Sequence, residues 1–200
     1  MSLFAVHIAD GPLSPIWLIG GGITAITLLI YSLWRFDSKY LPRIGCLAAV
    51  FFLSSQFHFQ IGIASVHLLL NGLVGVMLGR FAVIAILQGL ILQYLLFSHG
   101  GYLTLGINLT ILALPALVVS TIAKRFTITP SRAFWLGICS SGMSVLLNFC
   151  VLLLGGIDDW KLLANWVLIS HLPIIVLEGV ILAVIIPYLQ QVKPSLMIHP

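Results

Sequence analysis

Six histidines stand in a chain of 200 residues that carries only five acidic ones. Imidazole is the commonest side-chain ligand for nickel, copper and zinc, so their placement is the first question. His7 falls in VHIADG (6–11), His67 in ASVHLLLNG (64–72), His99 in LLFSHGGYLTLGIN (95–108) and His171 in SHLPIIVLEG (170–179). His58 and His199 complete the set. Taken singly, a histidine near a helix end is an interfacial anchor or a satisfied core group. Taken together, several on one side of a bundle would make a cation site.

The elements that position them follow from composition. The chain is 60% hydrophobic and 7% charged, whereas a soluble domain carries about 25% charge. Apolar runs of membrane-spanning length recur throughout, which defines an all-α, polytopic membrane bundle in one domain. No internal repeat, linker or cleavable leader is legible. Runs between breakers predict seven helices, over 15–34, 41–57, 64–78, 81–97, 106–123, 133–155 and 167–189. The third and fourth are parted only by Gly79-Arg80 and can form one broken segment. Residues 1–13 then make an N-terminal segment, 14–189 the bundle and 190–200 a tail.

Charge supports the count. Arg35, Lys39, Arg43, Arg80, Lys124, Arg125, Arg132 and Lys193 fall in odd-numbered loops or the tail, and only Lys161 falls in an even one. The positive-inside rule puts the N-terminus outside and the C-terminus in the cytoplasm. The scatter of single basic residues excludes a nucleic-acid surface. His7, His58, His67, His99 and His171 then gather at the outer side, with His199 inside.

Buried polar residues add to the site. Asn71 lies one helical turn past His67, and Glu178 lies two turns past His171, each pair on a common face. An intramembrane carboxylate is costly without a partner, and Glu178 reads equally as functional or as a helix–helix contact. Gln56, Gln88, Gln93, Asn108 and Asn148 read as interhelical hydrogen bonds, and the glycines at 20–22, 72, 75 and 79 as close helix packing. Cys46, Cys139 and Cys150 lack CxxC spacing and read as small core residues. No GxSxG, HExxH or Walker lysine motif is present, so the chain is not read as an enzyme and cannot hydrolyse ATP alone.

The four quoted stretches, in that order, resemble the substrate-binding membrane components of energy-coupling-factor transporters for nickel and cobalt, the CbiM/NikM family. The resemblance implies a bacterial inner-membrane protein that binds Ni(II) or Co(II) as transported substrate, with no other cofactor, in some members tied to cobalamin biosynthesis. It implies three partners: a transmembrane coupling component, cytoplasmic ATPase subunits and a small accessory membrane subunit. Capture at the outer face, occlusion beneath the N-terminal segment and inward release as the coupling module moves the bundle are likewise implied.

In that family the metal is held by the free N-terminal amine, the next amide nitrogen, the imidazole of the same residue and a second histidine. The carried-over ligands are Val6, His7 and His67. Amine, amide and imidazole close two fused chelate rings, and a fourth nitrogen completes a square suited to Ni(II). Asp10 and Gly11 fit the turn that folds the segment back. Asn71, His99 and Asp10 are candidate outer-shell partners. His58 and His99 are read as loop anchors, with ion transfer as the alternative; His58, His171 and Glu178 are structural or functional polar residues. Because five residues precede Val6, His7 has no adjacent free amine in the sequence as written. The expectation is that codon 6 reads GTG and translation starts there as Met-His, which intact mass or N-terminal sequencing checks. The alternative is a diverged relative with a genuine extension, binding metal through imidazoles alone or serving as a membrane scaffold. A channel-like or redox membrane protein is a third reading.

Overall fold

A computed structural model describes residues 7–34, 36–61 and 64–193. Within them the helices are α1 (Pro15–Leu33), α2 (Leu41–Ser54), α3 (Asn71–Leu78), α4 (Ala82–Phe97), α5 (Leu105–Ala123), α6 (Pro130–Gly155) and α7 (Lys161–Val192). A hairpin of β1 (His58–Ile61) and β2 (Ala64–His67) lies between α2 and α3.

Five helical stretches are long and apolar enough to cross a membrane: α1, the α3–α4 unit, α5, α6 and α7. The lipid-facing character is plainest on α1, where Ile16, Ile19, Ile23, Ile26 and Ile30 lie exposed at helical spacing. Such a stripe is stable against acyl chains and not against water. The interior is filled by α3 and α4, with Leu78, Ala82, Val83, Ala85 and Ile86 fully buried against α2 and α5.

The structure corrects the reading of residues 55–70. The second helix stops at Ser54 rather than 57, and the third begins at Asn71 rather than 64. Between them His58 pairs with His67, Phe59 with Val66, Gln60 with Ser65 and Ile61 with Ala64 in antiparallel register. The alternation of polar and apolar residues in HFQI and ASVH suits a ribbon, and the apolar density around it hid that period. Leu70 has φ 47, a left-handed residue that ends the ribbon path and turns the chain into α3.

α3 is short, about 12 Å by helical rise, and begins deep in the bundle. Its first residue, Asn71, donates from Nδ2 to the Leu112 carbonyl (2.9 Å) and to Ser144 Oγ (2.8 Å), midway along α5 and α6. Gly79, at φ 60, breaks the helix before α4 runs back. That break lies at the basic end of the bundle: Arg80 offers its carbonyl to Ser32 Oγ at 2.8 Å, and Lys124 stands near Gly79.

Two other boundaries move. α6 starts at Pro130 rather than 133, because Thr129 Oγ1 caps it through the Arg132 N–H. α7 starts at Lys161 rather than 167 and continues to Val192, so His171 is interior to the helix and not near its start. Residues 190–192 are therefore helical, while residues 194–200 of the expected tail, with His199, lie outside the described residues.

Small residues mediate close packing as expected at Gly21 against Ile107, Gly72 against Ser140 and Gly75 against Ala116. Gly106 likewise approaches the backbone of Gly22, whereas a Cβ at Gly20 meets nothing within 4 Å. Cys46 and Cys139 are exposed on the outer surface rather than in the core. Gln93 does bridge elements, donating to Ser55 Oγ at 2.6 Å, whereas Gln56 bonds only locally to Phe52 and Ser55 and Gln88 is exposed.

Candidate metal centre

Residues 7–14 form a strap laid across one end of the bundle. Its local chemistry explains its path. The Asn108 side-chain amide accepts from Ile8 N–H at 2.9 Å and donates to the Ile8 carbonyl at 2.9 Å, imitating a neighbouring strand. Thr104 Oγ1 donates to the same carbonyl at 2.6 Å. Asn108 is thus an anchor for the strap and not the interhelical bond expected of it.

Asp10 performs the second attachment. Its carboxylate accepts the backbone N–H groups of Tyr102, Leu103 and Thr104, each at 3.0 Å, at the start of α5. A helix start presents unpaired N–H groups and a partial positive charge, both of which suit a carboxylate. Asp10 therefore fixes the strap instead of bonding a histidine. Gly11 follows with φ 111, the left-handed turn that the Asp-Gly pair offers. A third attachment is a bridge in which Ser14 N–H donates to Gly155 O and Ile157 N–H donates to Pro12 O, both at 2.9 Å.

This fastening holds His7 over the hairpin and the loop after α4. The His7 and His67 rings stack at 5.0 Å, 7° from parallel, and His99 stands edge-on, 5.0 Å from His7 and 5.4 Å from His67. One ring nitrogen of each lies within 4.8 Å of the others, a spacing that can close on a metal ion. His58 borders the group, 5.2 Å from His67 and 5.0 Å from His99 between ring centroids. His67 is fully buried and His7 nearly so, at 0% and 5% exposure.

Hydrogen bonding fixes which nitrogens are bare. His67 Nδ1–H donates to the Leu68 carbonyl at 3.0 Å, since a carbonyl can only accept. The lone pair is then on Nε2, which is buried with no hydrogen-bond partner among the described residues. Both nitrogens of His7 and Nε2 of His99 are in the same condition. Unpaired buried polar atoms are costly, and their convergence from three separate segments is the arrangement of a cation site.

Burial depresses the His7 imidazole well below its ordinary range, helped by the neighbouring His99 and His67. Burial, then His99, brings His67 down from 6.5 to about 3, and burial brings His99 down from 6.5 to about 4. Rings neutral in the folded state keep their lone pairs for a metal. The sign for stability follows. Below 6.5 the unfolded chain takes up protons that the folded chain refuses, so metal-free stability falls as pH drops from 6.5 toward 4. Acidifying the metal-free protein from pH 7 to 5 is expected to lower its unfolding temperature in detergent; an unmoved midpoint would count against buried neutral imidazoles.

The other sequence candidates sit beneath this cluster. Asn71 is not on a common helical face with His67, which lies in a strand, and its amide is spent on Leu112 and Ser144. His171 Nδ1–H donates to the Val167 carbonyl at 2.7 Å, and its ring is fully buried within electrostatic reach of His7 and His67. Glu178, also fully buried, accepts the backbone N–H groups of Leu69 and Leu70, the latter at 3.0 Å. No side chain caps α3 locally, so this carboxylate on α7 serves in place of a cap. It thereby ties the segment just after His67 to α7. Val6 lies outside the described residues. Topology puts His58 and His99 on the same side as His7 and His67; that the four close to ring contact depends on the hairpin register and on the turn at Gly100-Gly101, which spacing does not reveal.

Apolar membrane-length helices around a strapped imidazole cluster define a polytopic membrane protein equipped for a transition-metal ion. Residues 7–196 match the family model described as the cobalt uptake substrate-specific transmembrane region, CbiM, and the chain belongs to that family. It is 33% identical over 200 residues to a Haemophilus influenzae protein described as a "Putative metal transport protein", covering 96% of this chain and 97% of the relative. It is 23% identical over 214 residues to a Methanosphaerula palustris protein described as "Putative cobalt transport protein CbiM 2", covering 96% and 91%. The fold is shared with a crystal structure of a transition metal transporter, at a TM-score of 0.81 and 23% identity over 94% of each chain. A truncated transition metal transporter gives 0.79 and 23% identity, covering 92% of this chain and 98% of that one. Members of this family are components of metal uptake, not enzymes.

Proposed function

We propose that this chain is the substrate-specific membrane component of an ATP-driven energy-coupling-factor transporter, and that it captures Ni(II) or Co(II) at the outer face of a bacterial inner membrane. The observation that carries the reading is the convergence of buried, unpartnered nitrogens of His7, His67 and His99 beneath the strap. In this reading the bundle crosses the membrane seven times, with the strap outside and the end of α7 in the cytoplasm. The ion is held by His7 and His67 and covered by the strap. A transmembrane coupling component, cytoplasmic ATPases and a small accessory membrane subunit supply the energy and the inward release.

The ligand set has two forms. In one, the amine and amide nitrogens at residues 6 and 7 join the imidazoles of His7 and His67 in a square. In the other, three imidazoles suffice, and the mutual approach of the His7, His67 and His99 nitrogens favours this one. Titration of the purified protein with each ion, followed by metal analysis after balanced exposure to both, tests capture and names the preferred ion. About one equivalent of bound metal is expected, and no uptake of either ion would overturn the reading. His99→Ala separates the ligand sets: it weakens a three-imidazole site by more than the roughly 10–100-fold that loss of an outer-shell partner costs, and a chelated square by no more than that.

A further inference from the structure

His58 is the one exposed ring in the imidazole group. It faces His67 across the hairpin register, and paired residues of antiparallel strands project to the same face of a ribbon. Its Nδ1–H donates to the Gln56 carbonyl at 3.0 Å, which leaves the lone pair on Nε2. His99 stands 5.0 Å from His58 on one side and 5.0 Å from His7 on the other, and is intermediate in exposure. The rings therefore run from solvent to interior in steps of 5.0 to 5.4 Å.

We propose that His58, with His99 shared between the outer and inner positions, forms an outer docking site for a divalent transition-metal ion, from which the ion passes inward to His7 and His67. The proposal rests on the capture reading above. An aqua ion must exchange several waters for nitrogens before it fits beneath the strap. Doing so one ring at a time keeps it ligated throughout, since each new nitrogen lies about one ligand-exchange step from the last. Two imidazoles hold such an ion weakly, which suits transfer rather than storage. The strap blocks the direct approach over His7, because Ile8, Asp10 and Ser14 are each fastened to the bundle. Among the described residues β1 is exposed along its whole length.

Rapid-mixing measurements with Ni(II) or Co(II) chloride alone test this. In His58→Ala, association and dissociation are both expected to slow by about tenfold, because a docking site raises the effective ion concentration at the inner one and serves the reverse route equally. As an exposed residue, His58 can be replaced without disturbing the core. An association rate equal to that of the unaltered protein would overturn the proposal and leave His58 a surface residue of the hairpin. A faster dissociation with loss of equilibrium affinity would also overturn it, by making His58 a resident ligand. Failure of the unaltered protein to bind either ion would instead strike at the capture reading, so the two failures are distinguishable.

Discussion

His67→Ala is expected to reduce affinity for Ni(II) or Co(II) by more than the roughly 10–100-fold that loss of an outer-shell partner costs. His67, like His7, belongs to both ligand sets, and its bare Nε2 is buried. The substitution removes that nitrogen and leaves a void beside His7. Because the His67 side chain, among the described residues, bonds only to the neighbouring Leu68 carbonyl, the bundle itself should remain folded. Calorimetric titration alongside a thermal melt separates the two effects. An unchanged affinity would move the ion away from this cluster altogether.

Glu178→Ala is expected to produce the largest loss of stability. It strips the acceptor from two buried N–H groups at the start of α3, and each such orphan costs about 1–3 kcal/mol. The bond also positions the chain directly after His67, so affinity should fall together with the unfolding temperature. Glu178→Gln keeps an oxygen that both N–H groups can reach and should restore most of each. If the glutamine variant were as damaged as the alanine one, the negative charge rather than the two bonds would be what matters. If neither variant altered ion affinity, the fastening of His67 to α7 would be irrelevant to capture.

How much of this was legible depends on whether a residue's role is local. Asp10 and Gly11 were legible as a turn, because carboxylate and glycine chemistry act within a few residues. The apolar runs of α1, α5 and α6 announced themselves by length. The hairpin did not, since Phe57, Phe59 and Ile61 extend the apolar run of α2 and mask a period of two. With the hairpin unseen, His67 was given a helical neighbour in Asn71 that it does not have, and His58 could not be set opposite it. The Glu178 contact with Leu69 and Leu70 joins residues 109 and 108 positions apart, and nothing in either stretch encodes the other. His99 reads from the sequence as a loop anchor or an outer-shell partner, but its convergence with His7 arises from the strap above it.

The attachments of that strap also set an order of biogenesis. His7 is synthesised well before the rest of its site, yet its neighbour Ile8 is held by Asn108, 100 positions later. The clasp at Pro12 and Ser14 waits for Gly155 and Ile157, later still. Closing such distant contacts requires the intervening helices to be inserted and packed first. A nascent chain released before α6 is complete would carry His7, His58, His67 and His99 and the partners of Ile8 and Asp10, but not the clasp at Pro12 and Ser14. The full set of attachments is therefore acquired only once α6 has been made and packed, as a property of the assembled bundle.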